Sequence, residues 1–106
     1  MAKYLWKVSY TQAGVQGVLK EGGSSRRDMV EKLAAGLGGS IEAFYFAFGD
    51  HDVYIIADMP DAETAAAISL TVGAAGAVSI ETVALLTPEQ IDTATKKSVD
   101  YRPPGA

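Results

Sequence analysis

The chain has no cysteine in its 106 residues. That excludes disulfides, thiolate zinc sites, iron–sulfur clusters and a cysteine nucleophile together. Cations are scarce too: nine Lys and Arg stand against thirteen Asp and Glu, for a net charge of −4. A protein that neutralises phosphates needs a basic face, so no nucleic acid is expected as a partner. No apolar run approaches the roughly 20 residues of a membrane helix, so no membrane is expected either. Residues Met1 to Lys7 show no long apolar stretch of the leader type, and a cytoplasmic setting is the expectation. There is one histidine and one tryptophan. Asp50, His51 and Asp52 are adjacent, and alternate strand residues point apart, so no metal site is expected. The lone histidine lies beside a turn and not on a helix, which argues against haem, and no cofactor is expected.

What is present suits a single globular domain: 48% hydrophobic and 21% charged residues in 106. Residues 4–10 are aromatic and β-branched and read as a first strand. Thr11 to Lys20 read as a short helical turn weakened by glycine, closed by Gly22 and Gly23. Ser24 and Ser25 offer a helix N-cap, with Asp28 near the positive helix end. Met29, Val30, Leu33, Ala34 and Leu37 recur at helical spacing until Gly38 and Gly39 stop them. Two β-prone runs then flank Gly49-Asp50. Pro60 ends the second, and Asp61 caps an alanine-rich helix to about residue 72, with Thr64 at the capping-box position. Residues 77–86 read as a fourth strand, and Thr87-Pro88 opens a short helix to about residue 97. An extended tail follows.

The order β-α-β-β-α-β defines an α+β, ferredoxin-like fold with a four-stranded antiparallel sheet over residues 1–86, and 87–106 form a short helix and tail. Both crossover helices of such a unit lie on one face. The other face of a sheet this apolar needs a cover, so a homo-oligomer, at least a dimer, is expected.

A two-residue loop at Gly49-Asp50 pairs Phe48 with His51 and sets the register below. Phe44, Phe46, Phe48, His51, Val53, Ile55 and Ala57 then fall under the helices. Ile41, Ala43, Tyr45, Ala47, Asp52, Tyr54, Ile56 and Asp58 fall on the bare face. If Lys7 shares that face, it reaches Asp52 or Glu81.

These residues resemble the GYD domain family. Gly49-Asp50-His51-Asp52 is similar to the family's Gly-x-Tyr-Asp signature, with His51 in place of the tyrosine. Val8 to Thr11, Leu33 to Gly39, Phe44-Tyr45 and Met59 to Asp61 add to the likeness, which spans residues 3–86. The resemblance implies the dimeric α/β-barrel type, in which two bare sheet faces close into one barrel. That group includes cofactor-free monooxygenases, isomerases, haem enzymes and ligand-sensing domains. The histidine at position 51 removes any role that rests on a phenolic hydroxyl there.

Two readings stand for each candidate. His51 is a general base near neutral pH, or a turn histidine packed over Phe48. Asp52 is a carboxylate beside Tyr45 and Tyr54 that moves a proton, or the turn residue that accepts backbone N–H groups. Asp52 and His51 are thus the catalytic candidates, and Tyr45, Tyr54, Lys7 and Asp58 the ligand-binding ones. Arg26 and Arg27 hold an anion at a helix start, or form a solvated patch. The functional classes are a small-molecule-binding oligomer with a site inside the barrel, catalytic without a cofactor, or a non-catalytic sensing or assembly module.

Overall fold

Alternation along the first strand sets the two faces of the molecule. In the computed structural model, which describes residues 1–106, Tyr4, Trp6 and Val8 of β1 (Ala2–Tyr10) are buried. Lys3, Leu5, Lys7 and Ser9 between them are half-buried. The helices α1 (Gln12–Glu21) and α2 (Gly23–Gly36) lead to β2 (Ser40–Phe46) and β3 (Val53–Met59). Then come α3 (Ala62–Ala74), β4 (Val78–Leu85) and α4 (Pro88–Thr95). The sheet order is β2-β3-β1-β4 and every pairing is antiparallel. This is the expected ferredoxin-like arrangement.

Val53, Ile55, Ala57 and Met59 of β3 join Trp6, Val8, Ala65, Ile68 and Val78 in one core between the sheet and the helices. α1, α2 and α3 pack on the sheet; α4 makes no substantial contact with another element. Every residue from 86 to 106 is exposed. The radius of gyration is 16.9 Å, against about 13 Å for a compact chain of this length. Residues 87–106 therefore project from the domain as an arm.

The stretch after β1 differs from the expectation. It is a full ten-residue helix, N-capped by the Thr11 hydroxyl, which accepts from the Gly14 N–H. The break to α2 falls at Gly22, where φ is +84° and only glycine sits without strain. Gly22 is also the N-cap of α2, so Ser24 and Ser25 lie inside its first turn and make no side-chain cap. Gly14 has a separate reason. A Cβ there would stand 2.1 Å from the Ala77 carbonyl oxygen, so a bare backbone is what lets α1 reach the start of β4.

The hairpin keeps the expected register near its turn, with Tyr45 opposite Tyr54 and Phe46 opposite Val53. Two details differ. The loop is wider, because Ala47 N–H donates to the Asp52 carbonyl while Phe48 through His51 stay unpaired. Phe48 is fully exposed and does not lie under a helix. A bulge between Ile41 and Ala43 then shifts the pairing by one, so Ile41 faces Ala57 and the core. Glu42 takes the extra position and reaches Lys3 on the bare face.

Candidate functional site

The bare face presents three rows across the sheet. At one end Lys3 donates to Glu42 (2.8 Å) and Asp58 (2.9 Å). Those two carboxylate acceptors, Glu42 foremost, raise the Lys3 pKa above its usual 10.5. Asp58 is thus held by an intramolecular ion pair. An apolar row follows, Leu5 beside Ile56 and Val83, all half-exposed. The third row is aromatic and polar. Tyr45 stands opposite Tyr54 on neighbouring strands, Lys7 stands beside Tyr54, and Glu81 lies on the far side of Lys7.

His51 belongs to this row and not to the helix-covered core where the hairpin pattern puts it. Its Nδ1 is 3.2 Å from the Ser9 hydroxyl, and its ring meets Tyr54 edge-on with centroids 6.0 Å apart. Nε2 lies 3.7 Å from Glu81 Oε2, while the other Glu81 oxygen lies 3.9 Å from Lys7 Nζ. The physical reason is the widened loop. Once the Phe48–His51 pair is lost, the imidazole is free to turn toward the serine that ends β1 on the bare side. Lys7 accordingly partners Glu81 and not Asp52.

Asp52 is committed elsewhere. Its Oδ2 accepts from the Tyr10 N–H at 2.7 Å, and its own N–H donates to the Val8 carbonyl at 2.8 Å. The carboxylate thus stands in for the next backbone acceptor of the β1–β3 ladder. Tyr10 itself has its pKa raised above 10.0 by burial, with the Arg26 guanidinium pulling the other way. Arg27 is paired with Asp28 and Glu31 on its own helix, the ordinary surface arrangement.

Chemically, the third row offers a histidine flanked by a hydroxyl and a carboxylate, a lysine and two phenols. The imidazole is hydrogen-bonded at Nδ1 and has the Glu81 carboxylate 3.7 Å from Nε2. Ser9 was the member that the pattern of the sequence did not bring forward, and Glu81 entered there only as a partner of Lys7. Their signal was positional: Ser9 is the last polar alternate of β1, and Glu81 the one acid inside β4.

A family model described as the GYD domain matches residues 4–95. The chain belongs to the GYD domain family. The match takes in α4 as well as the sheet, so the GYD unit extends past the 3–86 span of the likeness read from motifs. No curated protein and no solved structure matches this GYD chain.

Proposed function

We propose that this GYD domain is a homo-oligomeric small-molecule-binding protein in which the bare sheet face of one copy covers that of another. The ligand is held at the Tyr45, Tyr54, Lys7 and His51 row, and His51 is the group that holds or moves its proton. The observation that carries this reading is the Ser9–His51–Glu81 arrangement on a sheet face that no helix of its own chain covers. The imidazole is hydrogen-bonded at Nδ1 alone, which leaves Nε2, 3.7 Å from Glu81, for the proton exchange that general acid–base work needs.

The dimensions call for a cover that reaches beyond the sheet face itself. Four strands about 4.8 Å apart and roughly 25 Å long give a face of roughly 500 Å² in plan. A stable interface takes about 800 Å² from each partner. The arm supplies further apolar surface, since Leu86, Ile91, Val99 and Tyr101 are all exposed on it. An arm with little contact to its own chain suits a clasp across a neighbouring copy.

The non-catalytic alternative keeps the same assembly and uses the enclosed row for ligand sensing alone. The commitment of Asp52 to the Tyr10 N–H supports it, because that removes one of the two catalytic candidates.

The test is a thermal-shift screen of small organic acids and phenols, which match the Lys7 ammonium and the imidazole. Native protein is compared with His51→Ala and with Ile56→Glu, which places a charge in the centre of the bare face. Compounds that stabilise the native chain should lose their effect in both variants. Compounds that stabilise all three equally contradict a site in this row.

A further inference from the structure

Arg26 and Arg27 stand side by side in the first turn of α2, and their surroundings differ. Arg27 is exposed and paired with acids of its own helix, whereas Arg26 is half-buried and forms no ion pair. The Arg26 guanidinium lies beside the Tyr10 phenol, whose rise in pKa on burial it opposes. A guanidinium keeps its charge at every pH the fold survives, and one drawn partly out of water is ordinarily matched by a carboxylate. No carboxylate of this chain matches it.

A recess of about 160 Å³ adjoins these groups, between α1, the start of α2 and the start of β4. That is the space of roughly five water molecules at about 30 Å³ each. Tyr10, Glu21 and Arg26 bring ionisable side chains to its wall, and α1 turns Gly14 and Gly17 toward it. Gly14 is required by the close approach to Ala77. Gly17 has no such reason, since a Cβ there would meet nothing. Glycine is the poorest helix former after proline, and its place in α1 keeps the recess open. Glu21 and Arg26, opposite in sign on one wall, pair neither with each other nor with any other charge of the chain.

We infer that this recess is a second ligand site, for a small free α-amino acid whose carboxylate is held by Arg26 and the Tyr10 hydroxyl and whose ammonium is held by Glu21. The planar guanidinium suits a carboxylate, which it grips through two parallel hydrogen bonds. A simple anion would meet the Glu21 carboxylate, and a simple amine would meet the Arg26 guanidinium. A zwitterion satisfies both walls at once. The volume admits the bulk of glycine, alanine or serine and excludes an aromatic side chain. This site lies on the helical side of the sheet, takes no part in the row around His51 and does not depend on self-association.

The test is a ¹H–¹⁵N titration at constant ionic strength that follows the Gly14 and Gly17 amides. The probes are L-alanine and its two single-charge analogues, propionate and ethylamine. Alanine should shift both amides in a saturable way and bind at least about tenfold more tightly than either analogue, the worth of one charge-assisted hydrogen bond. Arg26→Met, which keeps the apolar stem, should abolish saturable binding. Glu21→Ala, at an exposed position, should bring alanine down to the affinity of propionate. Gly17→Leu fills the recess with a good helix former and should remove the alanine response at Gly14 while circular dichroism stays native. If that variant does not fold, Glu21→Ala decides. Ile56→Glu, which strips the bare face of its cover, should bind alanine as the native chain does. The inference is overturned by shifts that rise linearly with alanine and never saturate, by analogues that bind as tightly as alanine, or by unaltered alanine binding in Glu21→Ala or in folded Gly17→Leu.

Discussion

Truncating Asp52 to alanine separates its structural duty from any chemical one. In the native chain its carboxylate accepts the Tyr10 N–H at 2.7 Å, where β1 runs on past the end of its backbone ladder with β3. Hydrogen bonds to charged groups contribute about 1.5–3 kcal/mol, and Asp52 is half-buried, so the lower end applies. Asp52→Ala should therefore destabilise by roughly 1.5 kcal/mol, a fall in Tm of roughly 6–12 °C for a domain of this size. Asp52→Asn keeps an acceptor oxygen and should lose about half of that or less. Circular dichroism melts at one fixed protein concentration measure it, since self-association shifts Tm by mass action. Hydrogen exchange at the Tyr10 amide should accelerate in the alanine variant and not in the asparagine one. Asp52→Ala melting with the native protein would refute the reasoning, as would Asn and Ala behaving alike. Native stability together with lost ligand response would place the carboxylate in the site and not in the fold.

Gly14→Ala should cost about 1–3 kcal/mol or abolish folding, because its Cβ would sit 2.1 Å from the Ala77 carbonyl oxygen and 2.8 Å from Tyr10 Cδ1; Gly17→Ala, in open space on the same helix, should be neutral or slightly stabilising by urea titration. Asp61 caps α3 through the Thr64 N–H and hydroxyl, Thr64 being the partner that holds its pKa below the usual 3.8. A depressed carboxylate contributes stability above its unfolded pKa and loses it as pH falls through the folded one, so the cap should weaken below pH 3.8 and fail once pH passes the lowered folded value. Acid melts of native protein and Asp61→Asn should converge below that point, and a constant gap between them would contradict the assignment. Burial raises the Tyr10 pKa, so its phenol contributes stability below pH 10 that is lost as pH rises further. Tyr10→Phe should flatten the alkaline side of the stability curve.

Several features were legible because they rest on local periodicity. The alternation Tyr4, Trp6, Val8 against Lys3, Leu5, Lys7 gives the two faces of β1, and Val53 to Met59 repeat it in β3. Thr87, Pro88 and Gln90 form the expected capped start of α4, complete with a reciprocal capping box. What escaped was decided by contacts between distant residues. The wider loop depends on Asp52 reaching Tyr10, 42 positions away, and it moves His51 onto the bare face. The bulge at Glu42 depends on Lys3, 39 positions away, and it returns Ile41 to the core. The candidate site changed accordingly. Tyr45 and Tyr54 share the row that alternation assigns them, and Lys7, whose face the sequence left open, joins them, while Asp58 is tied up with Lys3 at the far end. The packing face of α3 left no periodic trace, because Ala62, Ala65, Ala66 and Ala67 give that helix little contrast between its faces.

The claim that the bare sheet face exists to be covered by another copy is tested most directly by sedimentation equilibrium at low micromolar concentration. One chain has a mass of 11.1 kDa. The native protein should sediment at twice that mass or a higher multiple, and Ile56→Glu as a folded single chain with native circular dichroism. A native species of 11.1 kDa at every concentration, or an Ile56→Glu variant that keeps the native assembly, would contradict the account.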